Sequence, residues 1–428
     1  MGASRIAIVG SGIAGLTAAW LLSRRHAVTL FEANDSPGGH TNTVDVTVDG
    51  TTYPVDTGFL VFNDRTYPNL IALFRHLGVR EAVSDMSFSV RIDGEGIEWA
   101  GSSVATLFAQ KRNLLRREFW SMLGDILRFN REASALAQGV LDPFYTVARF
   151  LDDGRYGRPF RDWYLLPMAA AIWSCPTEQM LAYPARTFFR FCKNHGLLQI
   201  ANRPQWRTVA GGGQEYVKRL AAFVDDIRLA TPVRRVRRCK GMVEVETDAH
   251  GIERYDDVVL ACHSDQSLGL LADPSSAERE VLGRIRYEPN DAVLHTDVSF
   301  LPRAREAWAA WNYHAGQGSP ARRPVSVSYL INKLQPLPFR TPVIVTLNPT
   351  TPPRQESTIA RFAYAHPAFD GPAIEAQRAL HAIQGRRHTW FCGAWMGYGF
   401  HEDGLKSGLT VANALGCYAP WQAQEVAA

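Results

Sequence analysis

Residues 5–15 read Arg-Ile-Ala-Ile-Val-Gly-Ser-Gly-Ile-Ala-Gly, and this stretch decides the fold. Its first five residues are mostly apolar and β-branched, which is typical of a buried strand. Residues 14–24 carry Ala, Leu and Trp at the spacing of a helix, and a second apolar strand is predicted at 28–31. A strand, a glycine turn, a helix and a second strand in this order are typical of a dinucleotide-binding unit.

Each glycine of the turn has a physical role in such a unit. Gly10 permits the tight turn, Gly12 lets the backbone approach a pyrophosphate, and Gly15 lets the helix pack against the strand. The start of the helix offers free N–H groups and a partial positive charge to the phosphates. Glu32, at the end of the second strand, is placed to accept hydrogen bonds from both ribose hydroxyls. Its charge would repel a 2′-phosphate, which disfavours NADP.

Two further glycine-rich stretches indicate that the ligand is longer than one nucleotide. Gly38 and Gly39, followed by His40, come shortly after Glu32 and allow the backbone to lie close to a ligand. Near the end of the sequence, residues 391–395 close a predicted strand. A loop then leads to residues 404–408 and an apolar helix, which predicts a second glycine-bounded helix N-terminus.

Composition excludes several classes of protein. The 428 residues are 46% hydrophobic and 21% charged, as in globular proteins, and they suggest two or three domains. The 46 Lys and Arg against 42 Asp and Glu do not indicate nucleic acid. Six widely spaced cysteines argue against a zinc ribbon, a redox motif or a disulfide scaffold, and no metal is expected. The longest apolar stretch, residues 165–173, is too short to span a bilayer. We therefore expect a cytoplasmic protein.

Two kinds of segment alternate along the chain. Residues 43–62 have the alternation of a hairpin, whereas residues 103–200 are dominated by helical patterns. From residue 208 a glycine run, a helix and short β-branched stretches follow, and residues 290–347 again predict strands. This alternation predicts two domains that are interleaved in the sequence.

The motifs resemble those of glutathione-reductase-type flavoproteins, within them the amine oxidase and phytoene desaturase superfamily. The similarity is carried by residues 10–15, Glu32 and residues 37–40, then by the Val-Ala-Gly-Gly-Gly run at 209–213, residues 256–261, and the C-terminal block 392–408. These matches occur in the order of that superfamily. The resemblance implies an α/β fold (α+β overall). A Rossmann-like FAD-binding domain is expected from residues 1–100, 205–285 and 386–428, interleaved with a helix-plus-antiparallel-sheet substrate domain from 101–204 and 286–385.

The same resemblance implies non-covalent FAD and a set of contacts to it. The segment 56–59 passes beneath the flavin in such proteins, and the C-terminal block places backbone N–H groups near the flavin and the pyrophosphate. The expected cofactor-binding residues are Gly10, Gly12, Ile13, Ala14, Gly15, Glu32, Ala33, Gly38, Gly39, His40, Thr57, Gly58, Phe59, Val233, Gly393, Ala394, Gly404, Leu405 and Ser407.

The sequence departs from the superfamily pattern in three places. His40 stands where Arg is usual, and Ala394 stands where Asp is common. The strand at 292–295 ends in His295, whereas amine oxidases carry a lysine on the comparable strand. A closer similarity is to a bacterial family of predicted NAD/FAD-binding proteins that accompanies cyclopropane-fatty-acid synthase-like methyltransferases. That resemblance implies work on lipid acyl chains and a functional pairing with such a methyltransferase.

Three residues are candidates for proton management beside the flavin. His295 lies on a strand predicted to face the ring, and His401 and Glu402 lie in a glycine-bounded turn of the C-terminal block. A structural role is the alternative for each of them. His263 and His366 belong to no motif and are interpreted as structural.

The sequence therefore predicts an FAD-dependent oxidoreductase. The expected reaction is hydride transfer to flavin N5 from an apolar substrate, a modified fatty acyl chain of phospholipid. The alternatives are an amine oxidase, a flavin-dependent isomerase or mutase, and a non-catalytic lipid escort. Basic and aromatic residues are interleaved at 108–120 and 186–193, which suggests peripheral contact with an anionic membrane at its inner face; ordinary amphipathic helices are the alternative.

Overall fold

The computed structural model describes residues 2–422 except 140–141, 143–144, 174–176, 200–201 and 318–324. Its strands are β1 (Arg5–Val9), β2 (Ala27–Phe31), β3 (Thr43–Val48), β4 (Thr51–Asp56), β5 (Phe62–Asn63), β6 (Glu81–Val83), β7 (Phe88–Ile92), β8 (Ile97–Ala100), β9 (Trp206–Val209), β10 (Asp226–Arg228), β11 (Val233–Cys239), β12 (Met242–Thr247), β13 (Gly251–Tyr255), β14 (Asp257–Leu260), β15 (Arg286–His295), β16 (Trp311–Ala315), β17 (Val325–Leu330), β18 (Ile344–Leu347), β19 (Thr358–Ala368) and β20 (Thr389–Phe391).

The α-helices fall between these strands. They are α1 (Ile13–Leu22), α2 (Pro68–Leu77), α3 (Val104–Leu107), α4 (Arg117–Leu136), α5 (Val147–Asp153), α6 (Arg158–Phe160), α7 (Leu166–Trp173), α8 (Thr177–Ala182), α9 (Ala185–Asn194), α10 (Gln214–Ala221), α11 (Ser264–Leu270), α12 (Ser276–Gly283), α13 (Ile331–Leu334), α14 (Gly371–Ala379) and α15 (His401–Ala414). One turn of π-helix, Arg161–Leu165, precedes α7.

A five-stranded parallel sheet carries the glycine turn. Its order is β10-β2-β1-β14-β20, so β1 lies in the middle between β2 and β14. Ile6 and Ile8 of β1 are fully buried, and α1 is buried along its whole length. A central parallel strand that is apolar on both faces is expected where helices cover the sheet. The α/β class and the Rossmann-type unit predicted from the sequence are confirmed.

A second, seven-stranded sheet has the order β19-β15-β18-β17-β16-β7-β8. It is antiparallel except where β16 runs parallel to β7. Smaller sheets are formed by β3-β4, by β5-β9-β6 and by β11-β12-β13. Strands β7 and β8 lie within residues 1–100, yet β7 pairs with β16 from residues 286–385, and β8 extends the same sheet by pairing with β7. The predicted boundary at residue 100 thus separates strands that share one sheet. The division into two domains stays a prediction.

Helices α3 to α9 form a helical insert between strands β8 and β9. Phe129 of α4 packs against Phe189 of α9, with 5.9 Å between the ring centroids, and Phe188 lies in the same core cluster. All three are fully buried. The aromatic residues at 186–193 are therefore core residues, and the membrane contact predicted for that stretch is not supported by their placement. Within the described ranges, no helix has both the length and the apolar character that a bilayer-spanning segment requires.

Candidate flavin-binding site

The first glycine turn closes β1 onto α1. Gly10 has a φ of 102°, and a Cβ on it would lie 3.1 Å from the carbonyl oxygen of Ala261 after β14. A Cβ on Gly15 would overlap the carbonyl oxygen of Gly10, so the sequence needs glycine at both positions. A Cβ on Gly12 would meet nothing within 4 Å, and no side chain caps α1. The start of α1 therefore faces open space with its N–H groups available, as a pyrophosphate requires.

Glu32 lies directly beside this turn and is buried. Its Oε2 accepts hydrogen bonds from the backbone N–H and the hydroxyl of Ser11, at 2.9 and 2.5 Å. Its Oε1 accepts the N–H of Asn34 at 2.9 Å. One lone pair of Oε1 thus remains for a ligand hydroxyl. The N–H of Thr231 donates to the Glu32 carbonyl at 2.8 Å. This hydrogen bond places the start of β11, which contains the predicted cofactor contact Val233, next to Glu32.

The second glycine pair packs on the first turn. The N–H of Gly38 donates to the Ser11 carbonyl at 3.1 Å, and a Cβ on Gly39 would lie 3.0 Å from Gly12 Cα. A Cβ on Gly58 would overlap the His40 carbonyl oxygen, so the segment 56–59 lies directly against this pair. Ala33 is exposed at the edge. The glycines therefore allow the close backbone contact that was predicted between residues 38–39, the first glycine turn and the segment 56–59.

The C-terminal glycines bring a second helix start to the same place. A Cβ on Gly404 would lie 2.8 Å from Ile13 Cγ2, and a Cβ on Gly408 would overlap the carbonyl oxygen of Ala14. Only glycine lets α15 approach α1 this closely. We call the surface that results the glycine cradle; it is formed by Gly10, Gly12, Gly39, Gly393 and Gly404.

Two predicted contacts of this block are buried within the protein. The Ser407 hydroxyl accepts the N–H of Gly393 at 2.8 Å and donates to the Gly404 carbonyl at 2.7 Å. Ser407 therefore shapes the loop of Gly393 and Ala394, and its hydroxyl is not free for a ligand. The Leu405 side chain is fully buried in the core below α1. Leu405 is the fifth residue of α15, directly after the first turn, and the sequence predicts its flavin contact there.

Two histidines form one wall beside the glycine cradle. Nε2 of His40 lies 3.4 Å from Nε2 of His366 on β19, and the His40 ring lies edge-on to Tyr364, 4.6 Å away. Tyr364 in turn bonds Asn42 and the predicted contact Thr57, at 3.0 and 2.8 Å. We call His40 and His366 the histidine wall. No motif marks β19 in the sequence, so the proximity of His366 to this site could not be predicted and a structural role was expected.

The hydrogen bonds of the histidine wall fix its tautomers. Asn290 Nδ2 donates to the carbonyl of Glu288, which identifies it as the amide nitrogen, and it also lies 3.2 Å from His366 Nδ1. That ring nitrogen must accept, so His366 carries its proton on Nε2 and donates to His40. His40 then carries its proton on Nδ1. Desolvation lowers the pKa of His40 well below its usual value and that of His366 to about 4, so both rings are neutral at pH 7.

His401 connects three segments of the site. Its ring stacks on the predicted contact Phe59 at 3.7 Å, with 11° between the planes. Its Nε2 lies 2.7 Å from the hydroxyl of Tyr216 on α10 and 2.9 Å from that of Thr41. Burial lowers the pKa of His401 to about 3. A neutral imidazole held in this way is a structural connector, so its placement does not support the predicted catalytic role.

Glu402 caps a different helix. Its two carboxylate oxygens accept the backbone N–H groups of Asn69 and Leu70 at 3.1 and 2.9 Å, at the start of α2. The Asn69 side-chain amide donates to it as well, at 2.8 Å. A buried carboxylate at a helix N-terminus satisfies donors that have no partner within the helix. This placement gives Glu402 a structural role and does not support the predicted catalytic one.

His295 lies on the wrong face of its strand for the predicted role. Ala292 and Leu294 of β15 pack into the core shared with α4, whereas His295 contacts Phe300 on the opposite side. Its Nδ1 accepts the N–H of Asp297 at 3.0 Å, and its Nε2 bonds the Thr346 hydroxyl at 2.8 Å. Both ring nitrogens are thus used, and the side chain is fully buried. This placement gives His295 a structural role and does not support the prediction that it faces the flavin.

An aromatic group that the sequence did not reveal joins α9 to the C-terminal loop. Phe400, directly before α15, stacks on Phe191 at 5.3 Å, and His195 lies 4.1 Å from Phe191 and 5.3 Å from Phe400. Tyr398 and Trp206 complete the group. We call these five residues the aromatic junction. They lie where the helical insert meets the start of α15.

His195 has a defined protonation state within the aromatic junction. Its Nδ1 lies 3.1 Å from the Phe191 carbonyl, an acceptor only, so the proton is on Nδ1. Among the described residues no hydrogen bond to Nε2 is recorded. Burial lowers the pKa of His195 to about 4. Nε2 therefore carries an unshared electron pair at neutral pH.

Comparisons with known proteins agree with this geometry. The model of the family of flavin-containing amine oxidoreductases matches residues 13–331, more than half of the chain. A carotenoid phi-ring synthase of Streptomyces griseus is 30% identical over 324 residues, which is 70% of this chain and 59% of that protein. The chain thus spans under two thirds of that relative.

Solved structures share the fold at low sequence identity. A fatty acid isomerase from P. acnes that produces CLA has a TM-score of 0.65 and 17% identity, with 96% of this chain and 98% of the other covered. Cyclohexylamine oxidase from Brevibacterium oxydans has a TM-score of 0.68 and 16% identity, with the same coverage. The glycine cradle fits the phosphates and ribose of a dinucleotide. The matched family model is that of flavin-containing proteins, so the dinucleotide is FAD. The chain belongs to the family of flavin-containing amine oxidoreductases, and its cofactor is FAD.

Proposed function

We propose that this protein dehydrogenates an uncharged, apolar substrate, a modified fatty acyl chain carried by phospholipid. Bound FAD supplies the hydride acceptor, N5 of its ring system. The substrate loses a hydride from one carbon and a proton from the next, and a carbon–carbon double bond forms. Oxygen or another electron acceptor then reoxidises the cofactor.

The observation that carries the proposal is the aromatic junction, which ends at Phe400, directly before the helix α15 that contributes Gly404 to the glycine cradle. The histidines around the site are uncharged as well. His40 and His366 are neutral at pH 7, and His401 is neutral as well. An ammonium or carboxylate substrate would need a charged or strongly polar partner in a desolvated site. Aromatic rings at the aromatic junction instead suit a hydrocarbon chain.

His195 is the proton acceptor in this proposal. Its Nδ1–H is held by the Phe191 carbonyl, so Nε2 is the atom that takes the substrate proton. The neighbouring rings of Phe191 and Phe400 exclude water and orient an apolar chain against Nε2. A neutral imidazole is the form required of a general base.

The relatives give two kinds of support. One is named for carotenoid ring synthesis and another for fatty acid isomerisation, and both names refer to long apolar molecules. The oxidase neighbour is named for an amine. The lysine expected near the flavin of an amine oxidase is replaced by His295, which lies buried on the other face of its strand. We therefore favour a hydrocarbon over an amine.

Anaerobic mixing with candidate substrates tests the proposal. Purified holoprotein is mixed with phospholipids bearing monounsaturated, methylated or cyclopropanated acyl chains, the last two being products of a cyclopropane-synthase-like methyltransferase. We expect the flavin absorbance to bleach with one acyl class. Bleaching only with diamines or cyclic amines would overturn it in favour of amine oxidation. Lipid turnover without bleaching or an electron acceptor would identify an isomerase. Bound lipid without turnover would identify an escort.

A further inference from the structure

We propose that the segment 104–116 before α4 and the outer face of α4 as far as Arg131 dock on the surface of an anionic phospholipid bilayer. Large apolar side chains are concentrated there. Leu115 is 89% exposed and Val104 is 73% exposed, and Leu114, Trp120 and Leu127 are each about half exposed or more. These residues fall within 24 positions of the sequence and form an exposed apolar patch of the kind that marks an interaction site.

The patch is held in place by the fold. Trp120 Nε1 donates to the carbonyl of Leu114 at 3.0 Å, and the Trp120 ring lies 5.4 Å from that of Phe108. On the opposite face of α4, Phe119 and Phe129 are fully buried in the core. The exposed side chains therefore cannot turn inward, because the inward face of the helix is already filled.

Basic side chains border the apolar ones. On the outer face of α4 the order is Arg117, Trp120, Gly124, Leu127 and Arg131, at the spacing of one helical face. Within the described part of the chain, no ion pair is recorded for Arg117, Arg131 or Lys111. We call this face, with Leu114, Leu115 and Lys111, the basic apolar stripe.

Nearby acids do not neutralise the stripe. Asp125 accepts hydrogen bonds from Arg128 and from the N–H of Gly157, at 2.9 Å each. Glu132 accepts the hydroxyl of Tyr156 at 2.7 Å. Glu118 is the exposed acid among the stripe's neighbours. The surface is thus cationic, which is complementary to anionic lipid headgroups.

The combination of exposed apolar side chains with basic ones favours a lipid bilayer over other partners. Apolar side chains between arginines can enter the acyl boundary of a leaflet while the cations stay at the headgroups. Nucleic acid offers no apolar layer for Leu115. A second copy of this chain would bring like charges together at the centre of the contact.

Vesicle co-sedimentation of the full-length holoprotein tests the inference. We expect binding to vesicles of phosphatidylcholine mixed with phosphatidylglycerol, weak binding to phosphatidylcholine alone, and a loss of binding as salt increases. Arg117→Glu and Leu115→Glu should each weaken binding about tenfold. Brominated lipids should quench Trp120 fluorescence, and Trp120→Phe should remove that quenched component.

Matched controls separate the stripe from general effects. Ile252→Glu replaces a side chain that is 57% exposed on β13, and Lys240→Glu removes an exposed cation between β11 and β12. Both should bind vesicles as the unaltered protein does. The inference is overturned if no variant changes sedimentation or if phosphatidylcholine binds equally well. It is also overturned if ultracentrifugation shows a dimer that Leu115→Glu abolishes, since the patch would then be a subunit interface.

Discussion

His366 Nε2 lies 3.4 Å from His40 Nε2, and the proton between them belongs to His366. The amide of Asn290 fixes this direction by donating to the other nitrogen of His366. His40 therefore presents an Nδ1–H beside the glycine cradle. An arginine, usual in the superfamily at this position, would present a permanent positive charge there instead.

The first prediction concerns this pair. His366→Phe keeps an aromatic ring but removes the Nε2–H that donates to His40. His40 should then populate both tautomers, and nitrogen-15 NMR of labelled histidine would measure this. If Nδ1–H of His40 bonds the cofactor, FAD affinity should fall about two- to tenfold. His381→Phe, on an exposed histidine near α14, should change neither. An unchanged His40 spectrum would contradict the assignment.

The second prediction concerns His195. His195→Gln should slow anaerobic flavin reduction by roughly 10²- to 10⁴-fold while the flavin stays bound. In the unaltered protein the rate of flavin reduction should fall as pH drops through about 4, because the imidazole then becomes charged. The rate of the variant should not show this dependence on pH. His295→Gln should reduce at the normal rate. Normal reduction by His195→Gln would exclude His195 as the base.

The third prediction concerns the contact between the two helices of the cradle. Gly408→Ala places a methyl group against the Ala14 carbonyl, which should separate α15 from α1. We expect a loss of bound FAD and a decrease of about 1–3 kcal/mol in the free energy of unfolding. Gly124→Ala is the matched control in another helix, where a Cβ meets nothing, and should stabilise by about 0.5–1 kcal/mol.

The fourth prediction uses the buried carboxyl of Asp56. It accepts the N–H of Gly213 at 2.9 Å and the Gln335 amide at 2.8 Å, and desolvation raises its pKa to about 7. The folded protein then holds this proton more tightly than the unfolded chain between about pH 4 and 7. Its contribution to stability therefore falls as pH rises through that window, by up to about 1.4 kcal/mol per unit.

Asp56→Asn tests this sign because its amide does not titrate. The difference in the free energy of unfolding, unaltered protein minus variant, should decrease from pH 4 to 7 in chemical denaturation. A difference that is flat over this range would show that Asp56 is ionised throughout.

The glycine positions were predictable because their requirement is local. Gly10 and Gly15 are needed by a turn of six residues, and their roles can be inferred from the residues on either side. The family pattern then extended the prediction to Gly404, whose close approach to Ile13 joins two distant parts of the sequence.

The contacts of the catalytic candidates could not be predicted, because they depend on strand register and on residues that are distant in the sequence. Pairing of β15 with β19 shifts register between Leu294 and His295, so the face of His295 could not be inferred from alternation alone. Glu402 meets Leu70, 332 positions away, and His366 meets His40 across 326 positions. Neither contact leaves a local pattern. His195 has no motif, and its role follows from the rings that surround it.

The order of strands in the parallel sheet has a consequence for biosynthesis. Ile6 of β1 pairs with Asp257 of β14, and β14 pairs with β20 at residues 389–391. A nascent chain that has left the ribosome only as far as residue 380 therefore lacks one edge of this sheet and all of α15. Because Gly393 and Gly404 complete the glycine cradle, the vitamin-derived prosthetic group can be held fully only after the chain has been synthesised through α15.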